Sequence, residues 1–216
     1  MKYKNIIYNS NLDVLKLNIS FPHKEIYEEL KEIRFSVKQA NNKLWRGITL
    51  RGFDDNKPRP YYEYGFKKDR DVPYKWTTYG NKCKISKQFI SSLFQGCDLF
   101  RIKVNVLHPG GKIHLHNDSV NSGLGLSDKT SDPDVSFVTF AVHWPKAVIF
   151  NLNDKRIPIK TGDVYLLNFS KMHEVFNPTN EIRYYLLVTG RFHDSPFWQE
   201  KILNSYSLLH DSTNSK

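Results

Sequence analysis

The sequence lacks any long hydrophobic run. No apolar stretch approaches the roughly 18 residues that a membrane-spanning helix requires, and Met1 to Lys4 lead into no signal-peptide core. Cysteine is scarce as well, because Cys83 and Cys97 are the only two and form no metal-binding pair. This excludes a disulfide-stapled scaffold and a zinc knuckle. We therefore expect a cytoplasmic protein without a membrane partner.

Acidic residues are outnumbered by basic ones, and the formal net charge is +10. Such a charge suits an anionic partner, nucleic acid included. The basic residues are scattered, however, with a modest cluster at Lys67, Lys68, Arg70 and Lys75. A nucleic-acid partner is therefore disfavoured, and the oligomeric state is left open.

The chain is long enough for one sizeable core, so a single domain over residues 1–216 is expected. Within its N-terminal region, 1–98, alternating apolar residues over 15–21 predict a strand, and an amphipathic helix follows from His23 to about Val37. Residues 41–84 contain many Gly, Pro and aromatic residues, which predicts long loops with short strands. Ser86 is expected to cap a helix that ends near Gly96.

The pattern changes to short β-rich runs over about residues 99–192, which predicts an all-β sandwich or barrel. Ser195 and Pro196 are expected to begin a C-terminal helix over 195–210. The predicted strands of the β core are 100–107, 135–144, 147–152, 157–159, 164–169 and 182–192.

The segment 108–118 is the most informative part of the sequence. If it continues as a strand beyond the Pro109-Gly110-Gly111 turn, His114, His116 and Asp118 project from one face. An imidazole and a carboxylate at this spacing, joined by a distant second imidazole, form the facial triad of Fe(II) oxygenases. His173 supplies that second imidazole at the start of a later predicted strand, so His116, Asp118 and His173 are the candidate iron ligands.

Arg183 follows ten residues after His173, inside an apolar run. A guanidinium that points into a β-barrel needs an anionic partner, because an unpaired buried charge is very costly. Its two-pronged geometry fits the distal carboxylate of 2-oxoglutarate.

Together these residues resemble the aspartyl/asparaginyl β-hydroxylase superfamily of Fe(II)- and 2-oxoglutarate-dependent oxygenases. The resemblance rests on His-Pro-Gly at 108–110, His116, His173 and Arg183, and it covers roughly residues 99–192. It implies a double-stranded β-helix (a jelly-roll, cupin-like fold) with flanking N- and C-terminal helices. It also implies that the enzyme hydroxylates an amino acid or peptidyl residue, with succinate and CO2 as products.

The resemblance assigns further roles residue by residue. Arg183 corresponds to the arginine that binds the co-substrate, and Asn105 stands where the family has a serine that touches 2-oxoglutarate. Thr139 lies near another family position that contacts 2-oxoglutarate. Asp118 departs from the namesake enzyme, which has glycine there, and agrees with the free-amino-acid hydroxylases of the superfamily.

Other readings stay open. His114 and His116, with His173 and Asn177, match the two motifs of a metal-binding cupin, although 119–122 lack its glutamate. A nucleic-acid-directed oxygenase would have two arginines six residues apart, whereas Arg183 and Arg191 are eight apart. A non-catalytic barrel is a third reading.

The aromatic region leaves one further alternative. Trp45, Arg46, Trp76 and Tyr79 form either a lid over the iron or a hydrophobic flank that packs the barrel.

Overall fold

The computed structural model is a mainly β fold with two antiparallel sheets and few helices. No helix among the described residues is long and apolar enough to cross a membrane. The residues described are 12–35, 37–39, 42–52, 64–66, 72–117, 136–192 and 195–214.

Within this part of the chain, a large sheet has eight strands: β1 (Val14–Leu17), β2 (Val37–Gln39), β3 (Asn42–Gly52), β4 (Lys75–Trp76), β5 (Asp98–Leu107), β7 (Ser136–His143), β10 (Val164–Leu167) and β12 (Arg183–Arg191). They run in the order β1-β10-β7-β12-β5-β3-β2, with β4 paired to β3. A smaller sheet has the order β6-β11-β8-β9, from β6 (Lys112–His116), β8 (Ile149–Leu152), β9 (Lys155–Arg156) and β11 (His173–Phe176).

Each face of the large sheet has its own core, because successive residues of a strand point to opposite faces. On β12, Tyr184, Leu186 and Val188 belong to the first core, which the helices cover. Tyr185 and Leu187, which alternate with them, pack against the second core. That second core is shared with Ile113, Phe150 and Val175 of the smaller sheet, so it lies between the sheets.

The helices α1 (His23–Lys31), α2 (Thr78–Lys82), α3 (Lys84–Leu93) and α4 (Pro196–Asn214) complete the described elements. Ile26 and Leu30 bury one face of α1 in the first core. The prediction that this helix reaches Val37 was wrong, because Val37 pairs with Gly47 on β3 as part of a strand.

Ser86 does not cap α3, contrary to the prediction. It lies inside the helix and is fully buried. The carboxylate of Glu29 on α1 instead accepts hydrogen bonds from the backbone N–H groups of Ile85 (2.7 Å) and Ser86 (3.0 Å). A carboxylate from another helix therefore satisfies the donors of the first turn.

The N-terminal region contributes more to the sheet than its composition predicted. β3 has 11 residues and lies between β2 and β5. The prediction of long loops with short strands was therefore wrong for this segment. The core strands agree closely with prediction except for residues 157–159, which form no strand, while the C-terminal helix extends to Asn214.

Candidate functional site

His116 and His173 lie side by side because β6 and β11 are paired. They are direct partners in the register of the smaller sheet, and their ring centroids are 4.2 Å apart. His173 is 4% exposed, with Phe169 at 4.9 Å and Phe150 at 6.5 Å between ring centroids. The pair thus borders the space between the sheets.

A β-bulge in β6 determines which histidine faces this space. Val175 pairs with Ile113 and His173 with His116, so β6 contains one residue more than β11 between these two pairs. The extra residue places Ile113 and His116 on the same face although they are three positions apart. His114 is exposed instead. The prediction that His114 and His116 share a face was therefore wrong.

Backbone carbonyls orient both inward-facing imidazoles. Nδ1 of His116 lies 2.6 Å from the carbonyl oxygen of His114, and Nδ1 of His173 lies 3.0 Å from that of Lys171. A carbonyl can only accept, so Nδ1 carries the hydrogen and the neutral ring has its lone pair on Nε2. This tautomer is the one in which Nε2 can ligate a metal.

Asp118, the third expected ligand, lies outside the described residues. Among the residues that the structure does describe, no group of three His, Cys, Asp or Glu side chains could hold a metal ion. The described part of the site thus offers two imidazole nitrogens.

Arg183 begins β12 and is 2% exposed. The centre of its guanidinium lies 4.4 Å from the ring centroid of Trp144 and 4.3 Å from that of Tyr185, so two aromatic rings flank it. Its Nε and Nη1 atoms are buried without a hydrogen-bond partner. Burial lowers the pKa of Arg183 to about 10, although the nearby Tyr185 raises it.

A buried guanidinium with two unsatisfied nitrogens is costly unless an anion completes it. Phe150 lies close to both Trp144 and His173, at 6.4 and 6.5 Å between ring centroids, so aromatic contacts connect Arg183 to the histidine pair. Trp144 and Tyr185 were not predicted as site residues. Tyr185 could have been found from its spacing, because it stands two positions after Arg183 on the same strand.

Asn105 and Thr139 both lie on the inner face of the large sheet. Asn105 is 3% exposed and pairs with Tyr185. Thr139 is 2% exposed, pairs with Leu187, and has a buried Oγ1 without a hydrogen-bond partner. Both can therefore donate to a ligand between the sheets.

A model of the family described as aspartyl/asparaginyl beta-hydroxylase matches residues 16–191. The chain belongs to this family. It is accordingly a 2-oxoglutarate-dependent oxygenase, and the match extends well upstream of the segment on which the sequence resemblance rested.

Two solved structures of oxygenases share this fold at the level of the whole chain. An oxidoreductase of the 2OG-Fe(II) oxygenase family from Burkholderia pseudomallei is 12% identical, with 84% of this chain and 86% of that chain covered and a TM-score of 0.50. The non-haem α-ketoglutarate-dependent carbocyclase SnoK from nogalamycin biosynthesis is 9% identical, with 83% and 79% covered and a TM-score of 0.50. HygX from Streptomyces hygroscopicus, solved with nickel and 2-oxoglutarate bound, is 10% identical, with 83% of each chain covered and a TM-score of 0.48. A comparison with curated proteins found no match.

The residues of this hydroxylase-family chain suit a metal ion and the carboxylate of 2-oxoglutarate. Two imidazoles with lone pairs on Nε2 suit a transition metal, and buried unpartnered donors on Arg183 suit a carboxylate. Both features lie in the space between the two sheets.

The remaining candidates separate into two groups. Trp45 lies near the site, with its ring centroid 6.5 Å from that of His116 and its Nε1 buried without a hydrogen-bond partner. Trp76 and Tyr79 pack against the first core, on the other side of the large sheet. Arg46 donates to the carbonyl of Phe35. The four residues therefore do not form one lid.

Asn177 has a structural role in this hydroxylase-family chain. Its Nδ2 donates to the carbonyl oxygens of Leu107 (2.9 Å) and Glu181 (2.8 Å), and its Oδ1 accepts from Thr179. With His114 exposed, the two histidine motifs of a metal-binding cupin are not assembled here.

Proposed function

We propose that this enzyme is an Fe(II)- and 2-oxoglutarate-dependent dioxygenase that hydroxylates an amino acid or a peptidyl residue. The observation that carries the proposal is Arg183. Its Nε and Nη1 are buried and unpartnered, and aromatic contacts through Trp144 and Phe150 connect it to His173 of the His116–His173 pair. A metal beside an anion-binding pocket is the arrangement that a keto acid co-substrate requires.

His116 and His173 would hold the metal through Nε2, and Asp118 would complete a two-histidine, one-carboxylate set. Such a set is typical of non-haem iron, because it leaves coordination positions open for the co-substrate and dioxygen. When bound, iron and 2-oxoglutarate would allow dioxygen to act as the oxidant, with one oxygen atom passing to the substrate as hydroxyl, the other to succinate, and CO2 released from 2-oxoglutarate. The chain's own residues would bind and orient the metal and the co-substrate, and they would exclude water from the site.

Arg183 would hold the distal carboxylate of 2-oxoglutarate with Nε and Nη1, the two atoms that have no other partner. Trp144 and Tyr185 fix the plane of its guanidinium. Asn105 and Thr139, both nearly inaccessible to solvent, would donate hydrogen bonds to the same molecule.

The fold that suits this site is a double-stranded β-helix, with the whole chain as a single oxygenase domain. The two antiparallel sheets would form its walls, and β6, β11 and β12 would bring the metal ligands and Arg183 to one cavity. A small-molecule or peptide substrate fits this reading.

The proposal is tested by adding Fe(II) and 2-oxoglutarate to the purified protein without oxygen. We expect a visible absorption band from the iron–keto acid chelate, and succinate formation once oxygen is admitted. A screen of amino acids and peptides for a mass increase of one oxygen atom then identifies the substrate. Absence of both the band and succinate would contradict the proposal.

A further inference from the structure

Asn177 joins the two sheets at the end of the strand that carries His173. β11 ends at Phe176, and Asn177 follows it and is fully buried. Its backbone N–H donates to the carbonyl oxygen of Gly111 (2.9 Å), and its carbonyl oxygen accepts from the N–H of Gly110 (2.8 Å). These two bonds extend the pairing of β11 with β6, so the backbone of Asn177 is fixed to the strands that carry the histidine pair.

The side chain of Asn177 reaches the backbone around Arg183. Its Nδ2 donates to the carbonyl oxygens of Leu107 (2.9 Å) and Glu181 (2.8 Å). Leu107 is the last residue of β5 and the register partner of Arg183, and Glu181 lies two positions before Arg183. One amide group therefore holds both the partner of Arg183 and the segment that leads into it.

The donors and the acceptor of this amide are all paired, which fixes its orientation. Oδ1 accepts from the backbone N–H of Thr179 (3.2 Å) and from its hydroxyl (2.7 Å). The same hydroxyl accepts from the N–H of Glu181 (3.2 Å). Because a buried amide with its groups paired has one favourable orientation, the segment 177–181 is held in one conformation.

The turn that leads into β6 packs closely against the same residues. A Cβ atom added at Gly111 would lie 2.7 Å from Cδ1 of Leu107 and 2.8 Å from the carbonyl oxygen of His108, closer than side-chain atoms normally approach. The turn and Leu107 are therefore in close contact, and a displacement of one would move the other.

A keto acid that binds at both ends depends on this arrangement. In the proposed function, the metal holds one end of 2-oxoglutarate and Arg183 holds the distal carboxylate. Two-pronged recognition of a carboxylate is geometrically specific, so a displacement of about 1 Å has a large effect. The separation between His173 and Arg183 must therefore be maintained, although residues 174–182 lie between them in the chain.

We infer that Asn177 is a positioning residue that sets the separation between the histidine pair and Arg183. It acts through the backbone of Leu107 and Glu181 rather than by contact with the co-substrate. By fixing this separation, it makes the site selective for a keto acid whose second carboxylate lies at the distance found in 2-oxoglutarate. The inference rests on the proposed function, because it assigns Arg183 to that carboxylate.

The test is calorimetry on the full chain loaded with Ni(II), with three keto acids as probes. 2-Oxovalerate has the chain length of 2-oxoglutarate but no distal carboxylate, and 2-oxoadipate is longer by a single carbon. The ratio of the affinities for 2-oxoglutarate and 2-oxovalerate measures the contribution of the distal carboxylate. We expect wild-type protein to bind 2-oxoglutarate about tenfold to a hundredfold more tightly than either of the other probes.

Asn177→Ala is expected to reduce this ratio about tenfold. The affinity for 2-oxovalerate should stay within about twofold of the wild type, because this probe does not reach Arg183. The preference for 2-oxoglutarate over 2-oxoadipate should fall as well. A merely structural role of Asn177 would instead lower the affinities for all three probes alike.

Thr179→Val removes the hydroxyl that orients the amide and is expected to reduce the ratio about threefold. Asn180→Ala, at an exposed asparagine of the same segment, is the matched control and should change no affinity. Circular dichroism verifies that each variant is folded. Thr179→Val decides the test if Asn177→Ala does not fold.

The inference is overturned if the folded variants keep the full ratio, or if the affinities for 2-oxoglutarate and 2-oxovalerate fall equally. A clear wild-type preference for 2-oxoglutarate with insensitive variants refutes the role of Asn177 alone. Wild-type protein that binds the two probes equally contradicts the assignment of Arg183 and, with it, the proposed function.

Discussion

At the scale of single residues, the site depends on buried polar groups that have no hydrogen-bond partner within the described protein. Arg183 is buried between Trp144 and Tyr185 with two unpartnered nitrogens, and Thr139 has an unpartnered hydroxyl. Buried polar groups are normally paired, and an exception suggests a ligand. Arg183 could be found from the sequence because it stands in an apolar run, where a charge requires a partner. Trp144 could not be found from the sequence, because its contact with Arg183 joins residues that are far apart in the chain.

Arg183→Gln is expected to weaken 2-oxoglutarate binding about a hundredfold and to leave metal affinity unchanged. The substitution removes the charge and the paired donors, while the candidate metal ligands His116 and His173 lie on β6 and β11. Isothermal titration of metal-loaded protein with 2-oxoglutarate measures the change. An unchanged affinity would remove Arg183 from the site.

Asp118→Ala is expected to weaken metal binding by at least about a hundredfold. Loss of a group that merely orients a ligand already costs about tenfold to a hundredfold, and loss of a ligand should cost more. Equilibrium dialysis with Fe(II) under anaerobic conditions measures the affinity. Metal affinity and turnover equal to the wild type would refute Asp118 as a ligand.

At the scale of elements, strand β6 shows where a sequence pattern succeeds and where it fails. A strand does follow the Pro109-Gly110-Gly111 turn, as the sequence argument assumed, and Gly110 in this turn has a φ of 72° that favours glycine. It failed to predict the bulge, which shifts His116 inward and leaves His114 exposed. A bulge is decided by pairing with β11, which the local sequence does not specify.

His114→Ala is therefore expected to retain metal binding, whereas His116→Ala should lose most of it. The two residues have the same chemistry and lie two positions apart, so each variant is the control for the other. Metal content after dialysis against Fe(II) distinguishes them. Equal losses in both variants would contradict the bulged register.

At the scale of the whole molecule, the N-terminal region belongs to the same structure as the site. β3 extends the large sheet beside β5 and brings Trp45 to 6.5 Å from His116 between ring centroids. Composition could not predict this strand, because the surrounding segment 41–84 is rich in Gly, Pro and aromatic residues. The family match over 16–191 agrees with an integrated N-terminal region.

The whole fold should lose stability at alkaline pH, and Tyr165 contributes to this loss. Burial, followed by its hydrogen bond to Asp163, raises the pKa of Tyr165 above its ordinary value. The folded state then favours the protonated phenol, so this contribution is present below pH of about 10 and lost as pH rises towards the folded pKa. Cys83, whose pKa burial raises to about 12, acts in the same direction.

Tyr165→Phe is expected to show a smaller decrease in the free energy of unfolding between neutral and strongly alkaline pH than the wild type. Urea unfolding at several pH values measures it, and Tyr206→Phe on the partly exposed face of α4 is the control. An identical decrease in wild type and Tyr165→Phe would show that this phenol has no part in it.

The central claim is that one cavity between the two sheets holds both the metal and 2-oxoglutarate. A crystal structure of the protein with Fe(II) and 2-oxoglutarate, obtained without oxygen, tests it most directly. The account predicts iron on His116, Asp118 and His173, with the distal carboxylate on Arg183. Iron bound away from the histidine pair, or a carboxylate that does not reach Arg183, would contradict it.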